Sequence, residues 1–340
     1  PIKEGRDKII YDNYGVKNNF FYRHIWWNDL ANLSKKYNYK YTGYVIGTYQ
    51  GNEAELKETK DLSYFTHRLY EAGGELGIHG FNHNPLVKKG QIDFDRYGYT
   101  PWDSEMEMAE ALHELRRVLK ENIGSNKYYS FVPASNIISS SGKKAVKYTF
   151  PELKVFAGLY TGADEKMVLY QEFGRDNNIS DVWNLPRLSS GYLKNKDTIW
   201  SIYNGIAHYG VFHHFIHPDD LLDIRRSRGN SWEILRKNLE SIMKNVNDNF
   251  PYLRAMTVSR GYLNQKRLSD LKVFVSKEKE KLVINYKNAF PPVYHYLRLR
   301  KKVISEVKGG EFELIKSYPD YNLYLITGYN SKVEIALKQK

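Results

Sequence analysis

The sequence predicts an α/β domain built on a parallel sheet or barrel, followed by a small all-β domain. Three observations predict it. Strand-like and helix-like runs alternate from Lys8 to about Val258, the rhythm of βαβ units. Several of the strand-like runs end in polar or histidine-bearing segments, and chemistry gathers at the carboxyl ends of strands in such folds. After about Arg267 the helical spacing stops and short, mostly alternating apolar runs follow one another. The domains are therefore expected at 1–266 and 267–340.

In chain order, Lys8-Ile9-Ile10-Tyr11 reads as a strand feeding the polar Asp12-Asn13-Tyr14-Gly15. Trp26 to Tyr37 has helical spacing, with Asn38 as its stop. Tyr41 to Gly47 is a strand of the buried type, and Leu62 to Ala72 a helix closed by Gly73-Gly74. Glu75 to Ile78 is a strand that carries His79 at its end. Ser104 to Glu121 is a long amphipathic helix with Asp103 as N-cap, preceded by the aromatic loop 97–102. Tyr128–Val132 and Val155–Leu159 are strands, with a helix over Ser141–Tyr148 between them. The polar segment 161–190 reads as loop, and Gly210–Ile216 leads into His217-Pro218-Asp219-Asp220. Asn230 to Asn247 is a helix, and Leu253–Val258 is the last strand expected of the first domain. Beyond Arg267, runs such as Lys281–Tyr286 and Leu323–Ile326, separated by turns such as Gly309-Gly310, read as an antiparallel β-sandwich.

Composition narrows the function classes. With 340 residues, 41% of them hydrophobic, the chain can bury a sizeable core. An aromatic share of 15%, led by 29 Tyr, suits stacking on sugar faces and equally suits core and rim packing. The absence of cysteine excludes disulfides, thiolate-bound zinc and a thiol nucleophile. No apolar run approaches the roughly 20 residues of a membrane-spanning helix. The net charge of +12 favours anionic surroundings, but it reads as spread along the chain without a Lys/Arg-rich tract, so nucleic acid is not an expected partner. The chain begins at Pro1 without Met, which reads as a mature form or fragment whose targeting segment is out of view.

The organising stretch is Glu75-Leu76-Gly77-Ile78-His79-Gly80-Phe81-Asn82-His83-Asn84-Pro85. Two imidazoles four residues apart can reach one metal ion if the backbone turns between them, and Gly80 permits that turn. Two loop histidines with structural hydrogen bonds are the other reading. A second concentration lies at His208, His213, His214 and His217. On a strand His213, Phe215 and His217 share a face, while His214 points to the opposite one, which also suits a core histidine.

Taken together, these motifs resemble polysaccharide deacetylases of the NodB-homology class, carbohydrate esterase family four. More narrowly, they are similar to a divergent bacterial branch resembling Pel exopolysaccharide deacetylase domains. The helix from Asp29 to Tyr37 with the strand Tyr41–Gly47, the Glu75–Pro85 motif, Phe131-Val132-Pro133 and Phe215-Ile216-His217-Pro218 carry the resemblance. It implies a distorted (β/α)7 barrel over about the first 260 residues and one divalent metal ion, usually zinc. It also implies ligation by His79, His83 and the position of Asn13, with Asp12 as general base and His217 as general acid. Asn13 stands where the family has a carboxylate, and Val132 where it has an arginine that Arg187 can replace from another loop. Trp102, Trp183, Arg187 and His214 are the expected substrate-binding residues, with core packing as the other reading of the two tryptophans.

The implied chemistry is removal of an N-acetyl group from a bacterial exopolysaccharide or cell-wall glycan by metal-bound water. It places the protein outside the cell or at its envelope. A weakened relative that binds glycan without hydrolysing it, and a glycoside hydrolase using carboxylates such as Asp219 and Asp220, are the alternatives.

Overall fold

The computed structural model describes residues 2–47, 59–92, 99–124, 127–158 and 173–339. Tyr97 and Gly98 of the aromatic loop, Leu159, and residues 161–172 of the expected loop segment lie outside them. The chain divides into two compact units, Pro1–Tyr262 and Leu263–Lys340.

The first unit opens with a helix in place of the expected strand. Helix α1 spans Ile2–Tyr14, where the sequence reading expects a strand over Lys8–Tyr11. Ile10 is 0% exposed while Ile9 is 39% and Tyr11 63% exposed, so the apolar run presents a single inward residue. Lys8 Nζ and Asp12 Oδ2 pair at 2.6 Å one helical turn apart. Gly15, at φ +66°, closes the helix by donating to Tyr11 O. A π-helical stretch, Phe21–Trp26, then runs into α2, Trp27–Tyr37, which Asn38 ends in the left-handed conformation.

Strand β1 (Thr42–Ile46), helix α3 (Thr59–Glu71) and strand β2 (Glu75–Gly80) form the first βαβ unit. β1 and β2 pair in parallel with Tyr44 opposite Gly77. A Cβ on Gly77 would come 2.5 Å from the Tyr44 ring and 2.6 Å from Ser130 Oγ, so only glycine lets that ring cross the strand. Helix α4 covers Glu105–Ile123, and its N-cap is Ser104, one residue after the expected Asp103. Ser104 Oγ accepts from Glu107 N at 3.1 Å, while Glu107 Oε2 accepts from Asp103 N at 2.7 Å.

The remaining strands are short: β3 (Ser130–Phe131), β4 (Val155–Phe156), β5 (Gly174–Arg175) and β6 (Trp183–Asn184). Helix α5, Ser140–Thr149, follows β3. Val132 still donates to Ile78 O, but Pro133 has no N–H with which to continue the ladder. The sheet order is β1-β2-β3-β4-β6-β5, with β5 antiparallel. A separate parallel pair joins β7 (Ser189–Ser190) to β8 (His214–Phe215). No ladder among the described residues closes this sheet into a ring.

Helix α6, Lys196–Tyr209, lies between β7 and β8, a helix the sequence reading passes over. Helices α7 (Ile224–Ser227) and α8 (Trp232–Asn249) follow, and α9 (Val258–Asp270) begins in this unit and runs past its last residue, Tyr262. The strand expected over Leu253–Val258 is absent, and Val258 begins a helix instead. Glu75 Oε1 accepts from Ser259 N at 2.8 Å and from Thr42 Oγ1 at 3.2 Å, placing a carboxylate at that helix start.

The second unit, taken by itself, consists of two antiparallel sheets. One runs β12 (Lys302–Lys308), β15 (Lys332–Gln339), β10 (Lys281–Lys287), β9 (Lys272–Glu278). The other runs β11 (Val293–Leu299), β14 (Asn322–Gly328), β13 (Gly310–Ser317). Ile284, Ile304, Val333, Ile335 and Leu337 from the first share a core with Val293, Leu299, Tyr324 and Ile326 from the second. The net charge is not evenly spread. Residues 263–340 hold 16 Lys and Arg against 8 Asp and Glu, a net +8 of the chain's +12.

Candidate functional site

The carboxyl end of β2 presents His79. Its Nδ1 lies 2.8 Å from Val132 O, and a carbonyl only accepts, so Nδ1 carries the hydrogen and Nε2 keeps its lone pair. Gly80 (φ +97°), Asn82 (φ 56°) and His83 (φ 52°) then turn the chain through left-handed backbone. The turn brings the His83 ring to 5.3 Å from that of His79, at 70°. The His79 imidazole is lowered to about 4, by burial first and to a lesser degree by His83, Arg187 and His217, against the raising effect of its Val132 bond. His83 is lowered too, by burial first and then by His217 and Arg226, with Asp219 opposing.

The neighbouring strand ends in a second strained turn. Ser135 (φ 51°) and Asn136 (φ 61°) are left-handed without being glycine. The hydroxyls of Tyr99 and Ser135 share a short hydrogen bond, and the Tyr99 ring lies 6.5 Å from that of His83. Arg187, 6% exposed, donates from Nη2 to Asn136 Oδ1, and its Cζ sits 3.7 Å from the Phe215 ring centroid.

β8 leads to the third wall. His217 precedes a 3-10 turn, Pro218–Leu222, which returns the buried Asp220 to it. His217 Nδ1 is 3.2 Å from Asp220 Oδ1. The same oxygen accepts from Arg226 Nη1 at 2.6 Å, and Asp220 Oδ2 accepts from His217 N at 3.3 Å. Arg226 Nη1 also lies 3.3 Å from His217 Nδ1. The shorter, charge-assisted bond to Asp220 claims that guanidinium hydrogen, so Nδ1–H points to the carboxylate and Nε2 is left for other work. Burial alone would raise the Asp220 carboxyl, but hydrogen bonds from His217 and Arg226 outweigh it and hold the group below the usual carboxylate range. Tyr192 OH supports the turn by donating to His217 O at 3.0 Å, and receives Trp26 Nε1–H at 3.0 Å.

The other expected residues fall elsewhere. Asp12 and Asn13 are exposed on α1, with Asp12 paired to Lys8, and are not at the end of a strand. Among the described residues no group of three or more His, Asp or Glu side chains gathers to hold a metal ion, which overturns the expected zinc site of His79, His83 and Asn13. Two causes are visible. The segment that was to supply the oxygen ligand is a helix turned outward, and the positive charges of Arg187 and Arg226 bear on the two histidines. Trp102 is buried and donates to Pro85 O at 3.0 Å. Trp183 is buried within β6, its ring 6.2 Å from Tyr262. Both tryptophans are therefore core residues. His214 uses both nitrogens inside the protein, at 2.8 Å to Ser189 Oγ and 2.7 Å to Gly191 O.

The arrangement thus gathers His79, His83, His217, Arg187 and the Asp220–Arg226 pair around the ends of β2, β3 and β8. It offers a carboxylate-oriented imidazole for proton transfer and guanidinium charge for an anionic intermediate. Arg226, Tyr99, Ser135 and Asn136 escape the sequence reading. Arg226 is six residues from Asp220, a spacing that signals nothing until the 3-10 turn is known.

No curated protein matches the chain. Among solved structures it is similar to one described as the crystal structure of alpha-amylase from H. orenii, with a TM-score of 0.26 and 10% identity over 86% of this chain. The chain spans 66% of the length of that amylase chain, and a likeness this slight carries no activity across. Residues 1–325 match the family described as "Uncharacterised protein conserved in bacteria (DUF2194)", and the chain belongs to that bacterial family.

Proposed function

We propose that the chain is a hydrolase acting on a carbohydrate, with His217 as its acid–base residue. The observation that carries this reading is the His217 ring fixed at Nδ1 by a buried carboxylate that Arg226 clamps in turn. From the resemblance to NodB-type deacetylases the proposal keeps the glycan and the acyl bond, and it drops the ion. His217 Nε2 takes a proton from water, and that water attacks the acyl carbonyl. Charge on the carbonyl oxygen develops in the field of Arg187 and Arg226. His217 then returns the proton to the departing sugar nitrogen or oxygen, giving acetate and the deacylated sugar. Such glycans lie at the bacterial envelope, and an extracellular or envelope location belongs to the same proposal.

Glycosidic-bond hydrolysis is the second reading, with Asp219, in the 3-10 turn that follows His217, as its carboxylate. Asp220 is engaged by His217 and Arg226, so Asp219 would need a partner carboxylate from elsewhere. Incubation with acetylated chitooligosaccharides, read for both acetate and new reducing ends, separates these readings. Acetate that is lost in His217→Asn supports deacylation. Reducing ends without acetate support the second reading. Bound oligosaccharide with neither product points to a glycan-binding protein.

A further inference from the structure

We propose that a second copy of this chain docks on the edge of β9 in the second unit, as an antiparallel two-fold pair that joins two four-stranded sheets into one. β9 ends its sheet. Among the described residues it pairs on one side only, with β10, so a row of backbone N–H and C=O groups lines its other side. The unit has four such edges. β12 and β13 are each broken by an irregularity, between Ile304 and Glu306 and between Leu314 and Lys316. β11 is anchored by Val293 and Leu299 in the core. β9 is regular against β10 over its full length and exposed at all seven positions.

The edge is apolar at its centre. Val273 and Val275 pair with Tyr286 and Ile284 of β10, which lie in the core, yet the two valines are 39% and 64% exposed. The inward face of the sheet therefore runs on past its core as an open shelf. Phe274, on the opposite face, is 56% exposed.

The sequence of β9 selects a copy of itself as the occupant. Successive residues point their backbone groups to opposite edges, so two copies of one strand pair antiparallel only when the two-fold axis passes through a residue. With the axis at Val275 the whole strand is paired. Val275 meets its own copy, Phe274 meets Ser276, Val273 meets Lys277, and Lys272 meets Glu278. Both ends then carry a pair of opposite charges, on the face that holds Phe274. Moving the axis to Phe274 sets Glu278 against Asp270, and moving it to Ser276 sets Phe274 against Glu278. The unit's net +8 opposes association at a distance, but at physiological ionic strength charges more than about 8 Å apart are largely screened, whereas directly opposed side chains stand about 5 Å apart. An edge used in this way is consumed, so association closes at the dimer. One strand edge is a small interface, and the dimer is expected to dissociate on dilution.

The test is sedimentation velocity of the full chain over a roughly hundredfold range of concentration at physiological ionic strength. Wild type should pass from monomer to dimer and no further. Val275→Lys, which sets two lysines face to face at an exposed position, should weaken the dimer about tenfold or more at an unchanged melting temperature. Lys272→Glu and Glu278→Lys should each weaken it, because each sets like charges opposite one another. The Lys272→Glu/Glu278→Lys double variant should regain it, and the two single variants should associate with each other when mixed. A wild-type chain that stays monomeric throughout would overturn the proposal. So would a dimer that Val275→Lys leaves intact, a double variant no better than the single ones, or growth past the dimer.

Discussion

His217 Nδ1 and Asp220 Oδ1 stand 3.2 Å apart across a single 3-10 turn, with the carboxylate buried and the imidazole edge open. The pair makes sense as an acid–base device because the carboxylate fixes the tautomer and leaves Nε2 outward. His217→Asn should lower turnover of an acetylated oligosaccharide by about 10²–10⁴-fold with little loss of stability. Asp220→Asn should lower it as well, and should also destabilise the fold by about 1–3 kcal/mol, because Arg226 loses its charged acceptor. Equal turnover of wild type and His217→Asn in an acetate-release assay would remove His217 from the mechanism.

Zinc should not bind stoichiometrically. His79 and His83 supply two imidazoles, but among the described residues no third His, Asp or Glu stands where it could share an ion with them, and both rings lie in the field of guanidinium groups. Two ligands leave an ion short of the three or four protein donors that zinc sites use. Isothermal titration of chelator-treated protein should give no saturating one-site heat. The melting temperature should be the same in EDTA as in added zinc. A one-site isotherm abolished by His79→Ala would count against this account of the site.

Stability should fall as pH drops below about 6.5. Burial pushes His213 down to about 3 and His214 and His79 to about 4, so the folded chain keeps these rings neutral. In the unfolded chain a histidine takes its proton near 6.5. Between those values the unfolded state binds more protons, and stability rises with pH. The contribution is complete above 6.5 and is lost as pH falls towards the folded values, at most about 1.4 kcal/mol per pH unit for each ring. Urea midpoints measured from pH 7 to 5 should show the slope before carboxylate titration begins. His214→Gln should reduce it, and an unchanged slope in that variant would exclude His214 as a source.

Particular residues show how much the sequence could tell. Asn38 and Gly73-Gly74 mark helix ends because left-handed backbone favours those residue types, and that preference is local. Lys8–Tyr11 misleads because a four-residue apolar run fits either period, and only the packing of Ile10 decides it. The His79–His83 stretch stands out by spacing, and the backbone does turn there. Its third partner does not follow, since the position of Asn13 depended on the first element being a strand. Trp102 and Trp183 carry no local mark of burial. The Arg187–Phe215 contact links residues 28 positions apart, which spacing cannot reveal.

The buried Lys143–Asp176 pair should be costly to break and cheap to replace. Lys143 Nζ lies 2.6 Å from Asp176 Oδ2, and their side chains are 9% and 0% exposed. Asp176 Oδ2 also accepts from Asn184 Nδ2 at 3.0 Å, and Oδ1 from Asn178 N and Ile179 N at 2.9 and 3.0 Å. The carboxylate thus ties α5, the end of β6 and the turn after β5 together. Burial alone would raise its proton affinity, yet these bonds hold it below the ordinary carboxylate range. Lys143→Met should cost about 3–5 kcal/mol, since it strands a buried carboxylate, whereas Lys143→Met combined with Asp176→Leu should cost less than the sum of the single changes. Chemical denaturation of the two single variants and the double variant gives the coupling. Simple additivity would mean that the two groups act independently and that the pair holds nothing together.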